Sequence, residues 1–212
     1  MSSYEGFQSN GQKSYDQSNS LPINHFIRVY DQIISDQLVE EMIEHLHNRC
    51  NYVDSDFLRR HEVSVYDPNM IEKIKGLSRL VYEKYKQDIG MVGSNLFQCN
   101  HLESPVIAQY QPSNKSLENK KEHFHDHADC WHFDSGTRVI SMIYYLNDVL
   151  EGGETHFTQL GQSIQPKKGR VLVFPSNFIY MHRANPPISN NKYVCICWIH
   201  FDGNTIYSSS RF

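Results

Sequence analysis

The sequence predicts an α+β fold that is mainly β, with N-terminal helices bracing one face of an antiparallel sheet pair or barrel. Two observations carry this. Helical periodicity is confined to residues 36–90, whereas after Gly93 short runs rich in Val, Ile, Tyr and Phe alternate with Gly, Pro, Asn and Asp. Helices first and strands afterwards mark an α+β arrangement rather than repeated βα units. With 212 residues, 39% hydrophobic and 21% charged, the chain is long enough to bury a core without staples.

Each element has its own signal. Residues 1–20 are rich in Ser, Gln, Asn and Gly without apolar periodicity, and read as a disordered tail. Residues 21–212 are then one domain. Ser35-Asp36 is an N-cap signal, after which Leu38, Val39, Met42, Ile43 and Leu46 recur at helical spacing, giving a helix over about 36–48. Asp67-Pro68-Asn69 opens a second, with Ile71, Ile74, Leu77, Val81 and Tyr85 on one face, ending near Gly90. Strands are expected at 105–111, 130–134, 138–147, 155–157, 162–165, 170–175, 178–182 and 192–201. Residues 51–62 and the polar stretch 113–129 read as loops, the latter carrying His123, His125 and His127 in alternation.

Composition also removes partners. A net charge of −4 offers no basic field for a phosphate backbone, which argues against nucleic acid. The longest apolar run, residues 139–146, is far short of the roughly 18 residues a membrane span needs. Five scattered cysteines do not form a disulfide framework, and with no secretory pattern at residues 1–20 they point to a reducing, cytoplasmic setting. Twelve histidines, crowded between residues 101 and 200, point to metal or proton chemistry.

Trp131-His132-Phe133-Asp134 suggests where. In a strand, His132 and Asp134 share a face about 6–7 Å apart, close enough to share one cation. His182, at the end of a later strand, is the leading third ligand. Two histidines and one carboxylate leave adjacent positions of an octahedral iron open, whereas zinc prefers a tetrahedral site. His127-Ala128-Asp129 spells the same H-x-D in polar sequence, and the aromatic flanks of His132 favour the later pair as the buried strand. In residues 192–198, period two puts Lys192, Val194, Ile196 and Trp198 on one face and Tyr193, Cys195 and Cys197 on the other. Such a strand is covered on both sides, and a lysine there calls for an anion. A dicarboxylate gripping the metal at one end and Lys192 at the other supplies it.

The ordered run His132-x-Asp134, Arg138, Tyr145-Leu146-Asn147-Asp148, Gly152-Gly153-Glu154-Thr155, Pro166-x-x-Gly169, Phe174-Pro175-Ser176, His182, Lys192 and Trp198 resembles the Fe(II)/2-oxoglutarate-dependent dioxygenases, in their prolyl 4-hydroxylase-like branch. The resemblance covers about residues 105–201. It implies a double-stranded β-helix, or jelly roll, with iron at His132, Asp134 and His182. It further implies Lys192 and Tyr145 on the distal carboxylate of 2-oxoglutarate, Tyr110 near its other end and Trp198 lining the pocket. The implied reaction consumes O2 and 2-oxoglutarate, hydroxylates a prolyl or other residue of a peptide or protein, and releases succinate and CO2, with ascorbate as an accessory reductant. The alternatives are a free amino acid, small metabolite or nucleobase as substrate, or a non-catalytic metal-binding sensor. Two spacings depart from the family pattern: Asp134 to Arg138 is short and Tyr110 to His132 is long.

Overall fold

Ser35 and Asp67 start the two helices as their side chains suggest. Ser35 Oγ accepts from Leu38 N–H at 3.3 Å, opening α1 (Asp36–Arg49). Asp67 Oδ1 accepts from Met70 N–H at 2.8 Å ahead of Pro68, opening α2 (Pro68–Asp88). The computed structural model describes residues 23–92, 101–112 and 121–201, so the tail expected over 1–20 lies outside the described residues.

The remainder is one curled antiparallel sheet. In chain order the strands are β1 (Arg28–Tyr30), β2 (Asn51–Asp54), β3 (Leu58–Ser64), β4 (His101–Leu102), β5 (Val106–Tyr110), β6 (His123–His127), β7 (Arg138–Tyr145), β8 (Thr155–Phe157), β9 (Gln162–Ile164), β10 (Val171–Pro175), β11 (His182–Ala184) and β12 (Lys192–His200). Their spatial order, β1-β10-β7-β12-β5-β3-β6-β11-β8-β9, is the double-stranded β-helix. β2 extends the sheet from β3, and β4 caps the end of β12.

Period two gives the central strands two apolar faces. Met142 and Tyr144 on β7, Cys195 and Cys197 on β12, and Val171 and Val173 on β10 meet Met42, Leu46, Ile74, Val81 and Tyr85 of the helices. Ile143 and Tyr145, Val194, Ile196 and Trp198, and Leu172 and Phe174 turn the other way, into the roll. The helices therefore close the outside of the sheet and leave its inside free to wall a cavity.

Four expected elements differ. Residues 130–134 are not a strand: they bend and enter a 3-10 turn, Phe133–Ser135. Ser135 holds that turn, its Oγ accepting from His132 N–H at 3.1 Å and donating to His132 O at 3.2 Å. The polar stretch 113–129 contains β6, which pairs with β3 and β11. The expected loop 51–62 is the β2–β3 hairpin, and 178–182 is a 3-10 turn, Phe178–Tyr180, followed by β11.

Gly152 and Gly153 both take positive φ between β7 and β8, at +72° and +76°. A Cβ on Gly152 would lie 2.5 Å from Pro186 O and 2.9 Å from Ile188 Cγ1, in the segment leading to β12. Gly161 also has positive φ but meets nothing within 4 Å. Gly152→Ala is expected to lower stability by at least about 2 kcal/mol and Gly161→Ala by about 1 kcal/mol, read from urea midpoints. Equal losses would show that the close approach to Pro186 carries no weight.

Candidate active site

β6 and β11 build the metal-binding side. They run antiparallel with His127 directly opposite His182, which sets the two imidazole centroids 4.4 Å apart. Asp129, two residues beyond His127, turns to the same side: Oδ1 lies 3.5 Å from His127 Nε2 and Oδ2 lies 3.9 Å from His182 Nε2. One ligand atom from each residue falls within 4.8 Å of the others, the one such cluster among the described residues.

The neighbours orient all three. His127 Nδ1 is 2.7 Å from the His125 carbonyl and His182 Nδ1 is 3.1 Å from that of Tyr180, so each Nδ1 donates and each Nε2 is turned toward the cluster. Ser141 Oγ donates to Asp129 Oδ2 at 2.5 Å and also meets Ser176 Oγ at 2.8 Å. Arg138 Nη1 donates to the Asp129 carbonyl at 3.3 Å. Burial pushes the Asp129 carboxyl up, but hydrogen bonds and the nearby histidines outweigh it, and the group is held ionised well below the usual carboxylate range. Burial, helped by His127, pushes His182 down to about 4, so its imidazole is neutral at pH 7.

Among the described residues the fold brings His127 and Asp129, and not the expected His132, to His182, and the side chain of the expected Asp134 lies outside the described residues. The alternation argument needs a strand, and these residues lie in the bend and 3-10 turn. The flanking aromatics that suggested burial are exposed, Trp131 by 62% and Phe133 by 84%. His132 is itself exposed, at the lip of the cavity.

That cavity, about 590 Å³, runs from the cluster into the roll and is lined by Val194, Ile196, Trp198, Tyr110 and Lys192 among others. Lys192 is 2% exposed and has no ion-pair or hydrogen-bond partner among the described residues. Its ammonium lies 5.2 Å from the ring of Tyr110, its cross-strand partner on β5, and 5.8 Å from the ring of Tyr145. Burial and then the Arg60 guanidinium push it down to about 7. Tyr110, expected toward the opposite end of the diacid, thus belongs to the ammonium end. Tyr145 stands behind the wall, its hydroxyl donating to Thr155 Oγ1 at 2.7 Å. Trp198 lines the cavity with the Arg138 guanidinium 3.8 Å from its ring centroid, and Glu103 grips that guanidinium at 2.6 and 2.7 Å.

Residues 108–200 match the 2OG-Fe(II) oxygenase superfamily. Within it the likenesses fall in the prolyl 4-hydroxylase-like branch. Over 76 residues the chain is 36% identical to prolyl 4-hydroxylase subunit alpha-1 of Gallus gallus, a match covering 32% of this chain and 15% of that protein. The chain therefore spans only a small part of the curated relatives it matches. A viral collagen prolyl hydroxylase from Paramecium Bursaria Chlorella virus-1, solved as its 2OG complex, superposes with a TM-score of 0.65 at 19% identity over 84% of this chain and 97% of that one. A prolyl hydroxylase from Trichoplax adhaerens, solved with a hypoxia inducible factor peptide fragment, gives 0.65 at 17% identity over 88% of each chain. These two show a shared fold.

Sequence reasoning passed over Arg60 and Glu62, which line the cavity from β3. Their signal is an Arg-x-Glu alternation, two charges on one strand face, inside a stretch read as loop.

Two outcomes test this geometry. His127→Ala is expected to weaken Mn(II) or Zn(II) binding at least about 100-fold by calorimetry, Ser141→Ala about tenfold, and His132→Ala less than about twofold. A large loss in His132→Ala would return the ligand role to that residue. For Lys192, the folded chain releases a proton that the unfolded chain keeps up to about 10.5, so raising pH from 7 toward 10.5 favours the folded state. Lys192→Met should therefore gain most over the wild type below pH 7, in urea midpoints, and the gain should fade by pH 10.5.

Proposed function

We propose that the protein is an Fe(II)- and 2-oxoglutarate-dependent hydroxylase acting on a prolyl residue of a peptide or protein, with residues 21–212 as one catalytic domain. The observation that carries the reading is the pairing, in one cavity, of the His127–Asp129–His182 cluster with the partnerless ammonium of Lys192. Two imidazoles and one carboxylate are the donor set of a facial triad, which leaves neighbouring positions free and suits Fe(II). A buried lysine without an anion fits the far carboxylate of a diacid. The residues present therefore fit both groups.

His127, Asp129 and His182 would hold the iron, which when bound supplies the O2 chemistry that couples 2-oxoglutarate decarboxylation to hydroxylation. The chain's own part is orientation and exclusion. The backbone carbonyls of His125 and Tyr180 accept from both Nδ1 atoms and so aim both Nε2 atoms at the cluster, and Ser141 fixes the Asp129 carboxylate. Lys192 anchors the co-substrate at depth, and the apolar wall of Val194, Ile196 and Trp198 keeps water from it.

A peptide is favoured over a free metabolite by the aromatics around the mouth. Phe57 and Trp131 line the cavity while staying about half or more exposed, and Trp131 shares an adjoining groove with the exposed Phe178. Such surface suits an extended, proline-containing chain. Cys50, Cys130, Cys195 and Cys197 are free thiols, in keeping with a reducing, cytoplasmic setting. No helix of the described residues is long and apolar enough to cross a membrane.

The test is succinate release with Fe(II), 2-oxoglutarate, O2 and ascorbate, across proline-containing peptides, free amino acids and oligonucleotides. Succinate should track peptide, and hydroxyproline should appear in the product. Release stimulated only by a free amino acid or nucleobase would overturn the peptide reading. A protein that forms no visible charge-transfer band with Fe(II) and 2-oxoglutarate under anaerobic conditions would overturn the enzyme.

A further inference from the structure

Arg60 is a buried guanidinium on β3, 4% exposed, pointing into the cavity that holds Lys192. It is not free to meet an anion. Its Nε and Nη2 both lie 2.7 Å from Glu62 Oε2, which neutralises it. Its Nη1 donates to the hydroxyl of Tyr110 at 2.6 Å. The ring of Tyr110 stands between the two cations, with Arg60 Cζ at 5.5 Å and Lys192 Nζ at 5.2 Å from its centroid.

A phenol has one hydrogen to give and lone pairs to accept with. A guanidinium can only donate, so the Arg60 contact occupies an acceptor position on the Tyr110 oxygen and turns its hydrogen elsewhere. Among the described residues nothing accepts that hydrogen. Tyr110 is itself buried, at 2% exposure, and lines the cavity. Two buried donors therefore face one space without an acceptor: the phenolic O–H of Tyr110 and the ammonium of Lys192.

We propose that Arg60 is a positioning residue that holds the Tyr110 hydroxyl as an obligate donor to the carboxylate lodged at Lys192. It acts through Tyr110 without touching the ligand. Glu62 serves to aim Arg60 and to keep its charge from competing for the anion. The hydrogen bond from Arg60 polarises the phenol, making its O–H a stronger donor than that of a tyrosine in apolar surroundings. This inference rests on the diacid reading of the cavity.

The experiment is a double-mutant cycle on 2-oxoglutarate binding, by calorimetry on the Mn(II)-loaded protein under anaerobic conditions, with folding checked by urea midpoints. Tyr110→Phe is expected to weaken binding about tenfold and Arg60→Gln by a similar factor. The double variant should lose no more than about threefold beyond Tyr110→Phe alone, because Arg60 has nothing left to act through. Arg60→Lys, which keeps a charged donor, should stay within about threefold of wild type, and Arg60→Met, which removes the donor, takes the place of Arg60→Gln in the cycle if that variant does not fold, with the same expected losses. Losses that multiply to about 100-fold in the double variant would overturn the inference while leaving the diacid site standing. A wild-type protein that binds no 2-oxoglutarate would instead overturn the diacid reading itself, and the inference with it.

Discussion

The antiparallel register of β6 against β11 is the constraint on which the rest depends. It places His127 and His182 opposite each other, and the imidazoles meet because cross-strand neighbours in such a ladder cannot do otherwise. Asp129 joins them from just past the end of β6, but it is fixed from another part of the sheet: Ser141 of β7 and Ser176 after β10 form the chain that ends on its carboxylate. The cluster is therefore complete only when both halves of the roll are closed on one another. A buried carboxylate beside one buried and one half-buried imidazole is costly without a cation to satisfy it, which is why this closure reads as a binding site and not as packing.

The opposite end of the cavity follows from the two faces of β12. Its residues alternate between the helix-facing core and the cavity without interruption, so Lys192 enters on the same side as Val194, Ile196 and Trp198. This was legible from sequence because a strand covered on both faces leaves a period-two pattern in which one lysine stands out. The helices were legible for a related reason: Ser35 and Asp67 cap through their own side chains, a local interaction that needs no tertiary partner.

What was misread has a physical explanation. Hydropathy marks residues that leave water, yet β6 is a strand whose partners are a half-open hairpin and a three-residue strand, and much of it stays wet. Its His-Phe-His-Asp-His sequence therefore looks like loop. Trp131 and Phe133 mislead in the opposite sense, since aromatic residues at a cavity mouth are exposed for binding and still resemble a buried strand. Spacing was the better guide. Taking His127 and Asp129 as the ligands lengthens the connection to Arg138 and shortens the one from Tyr110, and both departures from the family pattern shrink together. Arg60 and Glu62 left no comparable trace, because their meaning lies in a partner, Tyr110, fifty residues away.

The electrostatics of the cavity show why its two buried cations have different parts. Arg60 is matched within its own strand by Glu62, so its charge is satisfied before any ligand arrives. Lys192 has no carboxylate within ion-pair distance among the described residues; Arg60 raises the cost of charging it, and the more distant Glu154 offsets only part of that. A lone ammonium in that position is held in deficit by the fold and regains its ordinary tendency to be charged only when an anion lies beside it. An anion placed beside it would favour the charged form and offset that cost. An arginine at position 192 would stay charged regardless and lose that coupling, whereas a lysine whose proton affinity falls near neutrality responds to the ligand. On the proposed function, a molecule with two acidic ends would meet the ammonium with one of them and reach the His127–Asp129–His182 cluster with the other.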